Sequence, residues 1–490
     1  MIIRLADWIA LAGCVGGIGG LVGLGNVLRR WGWASDSTRR LVHAGVGMTV
    51  ATTPLFFSSP VPVYLLAVTF VLVNAGARGR RWWPGVHAAR PESWGTVLMP
   101  LVLIPALAAT WTVGPDRVYI LQIAFLVLAL ADPLASWAGS VWGRRVWVGP
   151  STLVGSSVFF VGALVLTGAG LVGLGDWDLG RAVTGALFVA VAATASEAIG
   201  RRGWDNVSIV FAVLLVLTPL HGRPGAASQI GGALVVGGLF GCAAHATRTL
   251  TAAGAVGGGL FAAALMGLGG WAWALPGFVF FVLSSALSLL DGERSHADPS
   301  GTRSGGRRLR QVLANGAVAG LLLFVYAVLP ASEGVWGPAC YAGFLGALAA
   351  AAADTWATEI GGVSPSRPWS LRRGERVETG SSGAVSLVGT VGAVFGAASV
   401  TGAAALGDGG LGLSLHHHVL VVGAGLVGMT VDSLAGAFVQ VQYRDPATGR
   451  VVERRPAPDA TPIRGWEEVD NELVNAAGTS AGALVAILFW

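Results

Sequence analysis

The sequence predicts an all-α fold, a polytopic integral membrane bundle of about sixteen transmembrane helices, on three observations. Hydrophobic residues form 53% of the chain and charged residues only 12%. Soluble domains carry roughly 25% charged residues, so this chain cannot cover a water-facing surface of ordinary size. Apolar runs of about 17 to 25 residues, the length that carries a helix across the hydrocarbon, recur from one end to the other. Closed barrels also satisfy a backbone in lipid, but they need strands of alternating polarity, and these runs do not alternate.

Taken in order, the runs predict helices over 5–28, 41–57, 60–77, 95–113, 117–137, 153–175, 180–198 and 205–219. A second set is predicted over 226–246, 250–268, 272–290, 311–329, 338–360, 383–406, 417–440 and 470–490. The first run reaches Leu28 and stops at Arg29-Arg30, too long for a signal-peptide core, which predicts an uncleaved first helix. The segment His221-Gly-Arg-Pro-Gly225 is rich in chain-breaking residues and is the seam between two sets of about eight, 1–222 and 223–490.

All 31 basic residues are arginine. Without lysine, a phosphate loop of the Gly-x-x-x-x-Gly-Lys-Ser/Thr type cannot form, so phosphate recognition falls to arginine, to helix-start N–H groups or to a metal. On the predicted topology 27 of the 31 arginines share one side, in loops around Arg29–Arg40, Arg78–Arg90, Arg144–Arg145, Arg201–Arg202, Arg248, Arg294–Arg310, Arg367–Arg376 and Arg444–Arg464. Arg4, Arg117, Arg181 and Arg223 fall opposite, with Asp176, Asp178 and Asp408. The positive-inside rule then predicts a multi-pass protein of the cell (inner) membrane with cytoplasmic Arg-rich loops and both termini outside. Arginines scattered among short loops fit membrane orientation and argue against a nucleic-acid partner. Cys14, Cys242 and Cys340 lie far apart in apolar runs, which predicts neither a disulfide nor a zinc site. The triplet His416-His-His418 falls on the outer side and reads as a loop feature.

Carboxylates inside apolar helices carry the chemistry, because a central Asp costs around 2.5–3.5 kcal/mol on insertion scales unless a partner, metal or water meets it. Asp132, Asp354 and Asp432 are of this kind, with Asp132 and Asp354 expected at or near cytoplasmic helix ends. Glu197 ends a helix, and Asp205 and Asp470 open others, where N-capping is the competing explanation. Asp354 and Glu359 are five residues apart and diverge on a regular helix, so joint metal binding requires the helix to loosen near Gly361-Gly362. The loop beyond carries Arg372, Arg373 and Arg376, then Gly380-Ser381-Ser382 at an expected helix start. That pattern suits phosphate and also fits an ordinary positive-inside loop. The halves echo one another: Ala131-Asp-Pro-Leu-Ala-Ser136 and Ala353-Asp-Thr-Trp-Ala-Thr358, Gly155-Ser-Ser157 and Gly380-Ser-Ser382, Asp205-Asn206 and Asp470-Asn471.

The first half resembles the phytol kinase and dolichol kinase family of CTP-dependent lipid-alcohol kinases. The resemblance rests on Arg39-Arg-Leu-Val-His43, Asp132-Pro-Leu-Ala-Ser-Trp-Ala-Gly139 with Gly143-Arg144, Thr152-Leu-Val-Gly-Ser156, and Glu197 with Asp205-Asn206. That family's Lys-[Ser/Thr]-x-Glu-Gly-Ser pattern falls on Ser151–Ser156 without its Lys or Glu. The second half resembles the phytyl-phosphate kinase family in Gln311-Val-Leu-Ala-Asn-Gly316, Ala353-Asp-Thr-Trp-Ala-Thr-Glu-Ile-Gly361, Gly380-Ser-Ser-Gly-Ala-Val-Ser386, Asp432-Ser-Leu-Ala-Gly-Ala437 and Asp470-Asn-Glu-Leu-Val-Asn475.

Together the resemblances imply two phosphorylations, of a prenyl alcohol to its monophosphate and then to its diphosphate, with CTP as donor and Mg²⁺ as cofactor. They imply catalytic roles for Asp132, Glu197, Asp205, Asp354, Glu359 and Asp432, with metal held by Asp132, Asp354, Glu359, Asp432 and Asp470. Nucleotide and phosphate would meet Arg144, Gly155, Ser156, Asn206, Gln311, Asn315, Arg372, Arg373, Arg376, Gly380, Ser381, Ser382, Ser386, Asn471 and Asn475. Three alternatives stay open: a secondary transporter with two similar halves, a lipid cytidylyltransferase, and a second-half kinase beside a first half that serves only as scaffold.

Overall fold

The structure, a computed structural model, describes residues 4–79, 93–223, 225–291, 306–328, 336–407 and 413–490, except positions 447, 450 and 458. Arg80, Arg81, Arg90, Arg294, Arg303, Asp408 and Arg450 lie outside the described residues. The fold is an all-α polytopic bundle. Among the described residues fourteen helices are long and apolar enough to span a membrane. The shorter Gly95–Ala109 and the less apolar Ser35–Phe56 complete the sixteen predicted segments. The chain divides into two compact units, Met1–Leu234 and Val235–Trp490, and the division falls inside the helix Ala226–Ala246.

In the first unit α1 is Leu5–Arg30, α2 Ser35–Phe56, α3 Val61–Gly79 and α4 Gly95–Ala109. Helix α5, Val118–Leu126, passes through a π-helical turn, Val127–Ala131, into α6, Asp132–Trp142. A two-residue-wide hairpin follows, β1 (Val146–Val148) with β2 (Ser151–Thr152), then α7 (Leu153–Gly173), α8 (Leu179–Ile199) and α9 (Asp205–Gly222). Every residue from Tyr119 to Phe125 is buried, as expected of a helix apolar on all faces at the centre of a bundle. The π-turn interrupts this central helix immediately before Asp132, and such turns are frequent at functional sites.

Helix α10 is Ala226–Ala246. The second unit continues with α11 (Ala252–Ala264), α12 (Trp271–Asp291), α13 (Leu309–Val328) and α14 (Trp336–Gly362). The hairpin β3 (Trp369–Ser370) and β4 (Ala384–Val385) leads into α15 (Leu387–Gly407). Helix α16 (Leu415–Phe438), hairpin β5 (Tyr443–Arg444) and β6 (Val451–Val452), and α17 (Asn471–Phe489) complete it. Helix α14 is central, with every residue from Cys340 to Ala353 buried against α13, α15, α16 and α17. Small residues make this possible. A Cβ on Gly428 would sit 2.6 Å from the Gly478 carbonyl oxygen, and one on Gly482 2.6 Å from that of Gly346, so α14, α16 and α17 meet backbone to backbone.

Two boundaries differ from the sequence reading. Helix α2 starts at Ser35 rather than at position 41, taking in Arg39 and Arg40. Polar residues hid this amphipathic first turn from an apolar-run criterion. Helix α15 starts at Leu387, because Gly383 takes φ +70° and the chain first pairs as β4. Gly380, Ser381 and Ser382 therefore precede a strand and do not open a helix.

Substituting Gly428 with Val forces a side chain against Ala350 and the Gly478 carbonyl. Overpacking of this kind costs about 1–3 kcal/mol, and a lowered thermal midpoint of the detergent-solubilised protein is the expected readout.

Candidate functional site

The second unit gathers its polar side chains where the glycine contacts let α14, α16 and α17 close up. Asp354, from α14, and Asp432, from α16, have carboxylates within hydrogen-bonding distance of each other. They line a cavity of about 10 Å³ with Asn315, Asn475, Thr479, Gly428 and Gly478. That is roughly the space of one water molecule. With the Asn475 amide turned to suit its neighbours, its nitrogen donates to Asp432 Oδ2 (3.0 Å) and to the Asn471 carbonyl (3.1 Å). The Asn315 and Asn475 amides lie 3.4 Å apart. Glu453, on the segment just after β6, comes within electrostatic reach of both aspartates. Partial burial pushes the Glu453 carboxyl above its usual range, against the hydrogen bonds of Gln440 and Ser382. Ser382 in turn donates to Gln440 Oε1 (2.9 Å) and to the Gly436 carbonyl (3.2 Å).

Next to this network the C-terminal carbonyls of α16 receive Arg464, which donates to Gly436 O at 2.8 Å and to Ala437 O. Burial holds the Arg464 guanidinium below its usual range, and the neighbouring charges of Arg372 and Arg373 add to that. Three arginines thus share one region of surface, with Glu375 facing Arg373 at 3.6 Å, a place where a bound anion relieves repulsion.

In the first unit Asp132 lies within the helical run Pro115–Trp142, ten residues before its end rather than at the rim. His43 of α2 is half-buried, with its Nε2 3.6 Å from Asp132 Oδ2 and 3.2 Å from the Leu128 carbonyl oxygen. Glu197, at the end of α8, and Asp205, opening α9, are within electrostatic reach of Asp132, as are Arg39 and Arg40. Ser156 donates to Glu197 Oε2 (3.4 Å) and accepts from Trp147 Nε1 (3.0 Å). Arg40 reaches α6 directly, Nε to Ser136 Oγ and Nη2 to Ser136 O, both 3.1 Å.

The units share a construction deeper than the sequence echo. Gly139 and Gly361 each follow the helix aspartate by seven residues. A Cβ on either would lie 3.4 Å from the Cα of a glycine in the next long helix, Gly155 and Gly389 respectively. In each case a hydroxyl three residues earlier caps that helix: Thr152 Oγ1 accepts from Gly155 N (3.1 Å), and Ser386 Oγ from Gly389 N (3.0 Å). The true counterpart of Gly155 is thus Gly389, and that of Thr152 is Ser386; Gly380–Ser382 is not equivalent to Gly155–Ser157.

Several expected site residues are placed elsewhere. Glu359 does not join Asp354, since α14 runs unbroken to Gly362 and five residues turn the two acids apart. It instead accepts from Ser288 Oγ (2.7 Å), which also meets Arg307 Nη2 (3.2 Å). Burial pulls the Arg307 guanidinium down from its usual range and Glu359 opposes this. Asp470 is an N-cap, accepting from Leu473 N at 2.9 Å. Asp205 is not: the cap position is Trp204, and Asp205 accepts only from Asn206 N (3.1 Å) among the side-chain bonds shown. Asn206 ties α9 to Gly95 O (3.0 Å), and Gln311 accepts from Arg308 N (2.9 Å) at the start of α13. Asn471 Oδ1 meets Gln440 Nε2 at 3.5 Å, and Ser381 donates to Glu378 O (2.7 Å). Gly380 and Arg376 are exposed in the loop, and Arg144 is exposed on the turn after α6. Glu453, Gln440 and Thr479 were missed because the 441–469 loop and an apolar helix give them no local pattern. His43 had a signal in the Arg39–His43 motif.

Among the described residues no three His, Cys, Asp or Glu side chains group closely enough to form a metal cage. Mg²⁺ does not need one, since it commonly takes one or two carboxylates and completes its shell with water and phosphate oxygens. The Asp354–Asp432 pair with neighbouring amides fits that donor set.

This architecture, all-α with spans throughout and polar clusters sealed between them, defines a multi-pass integral membrane protein. More particularly, the chain belongs to the integral membrane protein family DUF92, which matches residues 235–483, nearly the whole second unit. It is 26% identical over 244 residues to an uncharacterized membrane protein of Methanocaldococcus jannaschii, covering 50% of this chain and 87% of that one. It is 27% identical over 219 residues to Protein PGR of Arabidopsis thaliana, covering 40% of this chain and 74% of that one. No solved structure matches the chain.

Two substitutions should move stability in opposite directions. Asp432→Asn removes one of two carboxylates crowded around a small cavity and should raise the thermal midpoint in metal-free detergent. Glu359→Ala strips Ser288 and Arg307 of a charged partner and should cost about 2 kcal/mol by the same measurement.

Proposed function

We propose that the protein is a bifunctional membrane phosphotransferase. The first unit would phosphorylate a prenyl alcohol of the phytol or geranylgeraniol type, and the second would convert the prenyl monophosphate to the diphosphate, each with CTP. The observation that carries this is the repeated construction. Each unit sets an aspartate seven residues before a glycine that crosses a hydroxyl-capped helix, and brings a second acid to that aspartate (Glu197 to Asp132, Asp432 to Asp354). Two like sites in one chain suit two successive transfers of the same group.

The difference between the sites supports the order of steps. An alcohol oxygen must lose its proton as it attacks the γ-phosphorus, and the first unit has a base for it in Asp132, with His43 at 3.6 Å to take up and relay the proton. A phosphate monoester is already ionised at neutral pH and needs no such base. In agreement, the cavity around Asp354 and Asp432 is lined by carboxylates, amides and a threonine, with no histidine. Asp354 with Asp432, and Asp132 with Asp205, would hold Mg²⁺, which when bound neutralises charge on the transferring phosphoryl group. Arg372, Arg373 and Arg464 would receive the nucleotide's phosphates in the second unit. Arg40, fixed on α6, is placed to do so in the first in place of the family lysine. The Arg-rich loops and both sites are proposed to face the cytoplasm, where the nucleotide is.

A paired carboxylate cavity between spans is also where a cation-coupled carrier would hold its ion, so the test must separate the two readings. Purified full-length protein is supplied with Mg²⁺, labelled CTP, and geranylgeraniol or its monophosphate in turn. Label should pass to both lipids. Asp132→Asn should lower transfer to the alcohol by at least about 10²-fold and spare the monophosphate, and Asp354→Asn should do the reverse. Either variant abolishing both steps would refute the division of labour. No transfer at all, with cation-dependent solute uptake in vesicles, would favour the carrier, and transfer of CMP in place of phosphate would favour the cytidylyltransferase.

A further inference from the structure

Outside the polar cluster of the first unit, an open-sided cavity of about 310 Å³ lies against α7 and α8. Its walls are apolar, formed by Trp147, Leu153, Phe160 and Val161, and its polar end is marked by Ser156 and Thr194. Leu153 and Val161 are 46% and 57% exposed, large values for apolar side chains along a groove and affordable only where hydrocarbon covers them. Both helices are long and apolar enough to span the membrane, so a hydrocarbon chain can enter sideways from the bilayer. At the polar end, Ser156 is hydrogen-bonded to Glu197 and to Trp147. Thr194 Oγ1 is buried with no hydrogen-bond partner, although a helical threonine ordinarily bonds the carbonyl one turn back. Thr194 and Glu197, three residues apart, lie on one face of α8. The groove thus runs from lipid-facing walls to an unsatisfied hydroxyl and a carboxylate that is itself within electrostatic reach of Asp132.

We infer that this groove is the binding site for the hydrocarbon chain of a single-chain lipid alcohol, its hydroxyl turned toward Thr194, Ser156 and Glu197. The inference rests on the first unit being an alcohol kinase and says where that substrate sits. The size sets the class. At about 310 Å³ the groove lies at the lower end of the range of small-molecule pockets, room for one chain segment next to its head and not for the two chains of a diacyl lipid. The head it selects is a neutral hydroxyl, able both to donate to a carboxylate and to accept from a threonine. A phosphorylated head would bring negative charge against Glu197, so the monophosphate product is driven out of the site that made it.

The test uses the full-length protein in nanodiscs with a diazirine-bearing geranylgeraniol as photoprobe, adducts being mapped by peptide mass spectrometry. Adducts should fall within 147–161 and around Thr194. Unlabelled geranylgeraniol should compete them away, whereas its methyl ether, its monophosphate and a diacylglycerol should compete at least tenfold more weakly. Val161→Trp, which fills the groove from its lipid side, should remove the adducts and raise KM for the alcohol at least tenfold with kcat for the alcohol unchanged. Phosphorylation of supplied monophosphate reports that this variant is folded, and Leu153→Trp repeats the test from the other end. Leu72→Trp, at an exposed position of α3 away from the groove, serves as control and should change nothing. Adducts elsewhere, or an unchanged KM in both groove variants, overturn the groove and leave the kinase reading standing. Competed adducts in the groove with no phosphoryl transfer by the wild type sustain the groove and overturn the kinase reading. Equal competition by diacylglycerol overturns the assignment to a single chain.

Discussion

Backbone contact between helices at glycine is the constraint on which the rest of this molecule depends. A bilayer offers no hydrophobic gain for joining two apolar helices, so association has to come from packing and from polar groups that find one another. Removing side chains at Gly346, Gly428, Gly478 and Gly482 lets three helices touch carbonyl to Cα, and only at that separation can Asp354 and Asp432 line one small cavity. The same device, Gly139 on Gly155, sets α6 against α7 next to Asp132 in the first unit. The glycines therefore position the acids, and the acids explain why such close approach is worth its loss of side-chain contact.

Polar groups in these interiors are held in connected sets, as a low-dielectric setting requires. In the second unit Asp432, Asn475 and Asn471 lead to Gln440, Ser382 and Glu453. A separate set, Glu359 with Ser288 and Arg307, ties α14 to α12 and to the segment that opens α13. The distinction matters for interpreting variants, because the first set borders a cavity and the second joins structural elements. Within the first unit the asymmetry is chemical. A histidine stands beside Asp132 and none lines the cavity at Asp354.

The loops contribute more than connections. The 441–469 segment is pinned by Val441 N to Val469 O (2.9 Å) and by the pairing of Gln442 with Arg464, and from that frame it lowers Glu453 toward the aspartates while Arg464 closes the end of α16. A polar loop thereby joins a network whose other residues sit on membrane-spanning helices.

The sequence by itself determined the class of fold and the helices, because apolar length is a local property: a run of Ala, Val, Leu and Gly reports a span whatever surrounds it. It also determined which acids are costly, since Asp132, Asp354 and Asp432 stand in such runs. It set Glu359 beside Asp354, whereas that carboxylate serves a neighbouring helix; Asp470 and Gln311 bond the first turns of their own helices. It gave too little weight to His43 and none to Glu453, which come to their sites from 89 and 99 residues away, measured from Asp132 and Asp354. Periodicity says which way a side chain points from its own helix and nothing about which helix lies opposite. That choice belongs to the tertiary structure, made where two glycines allow two backbones to meet.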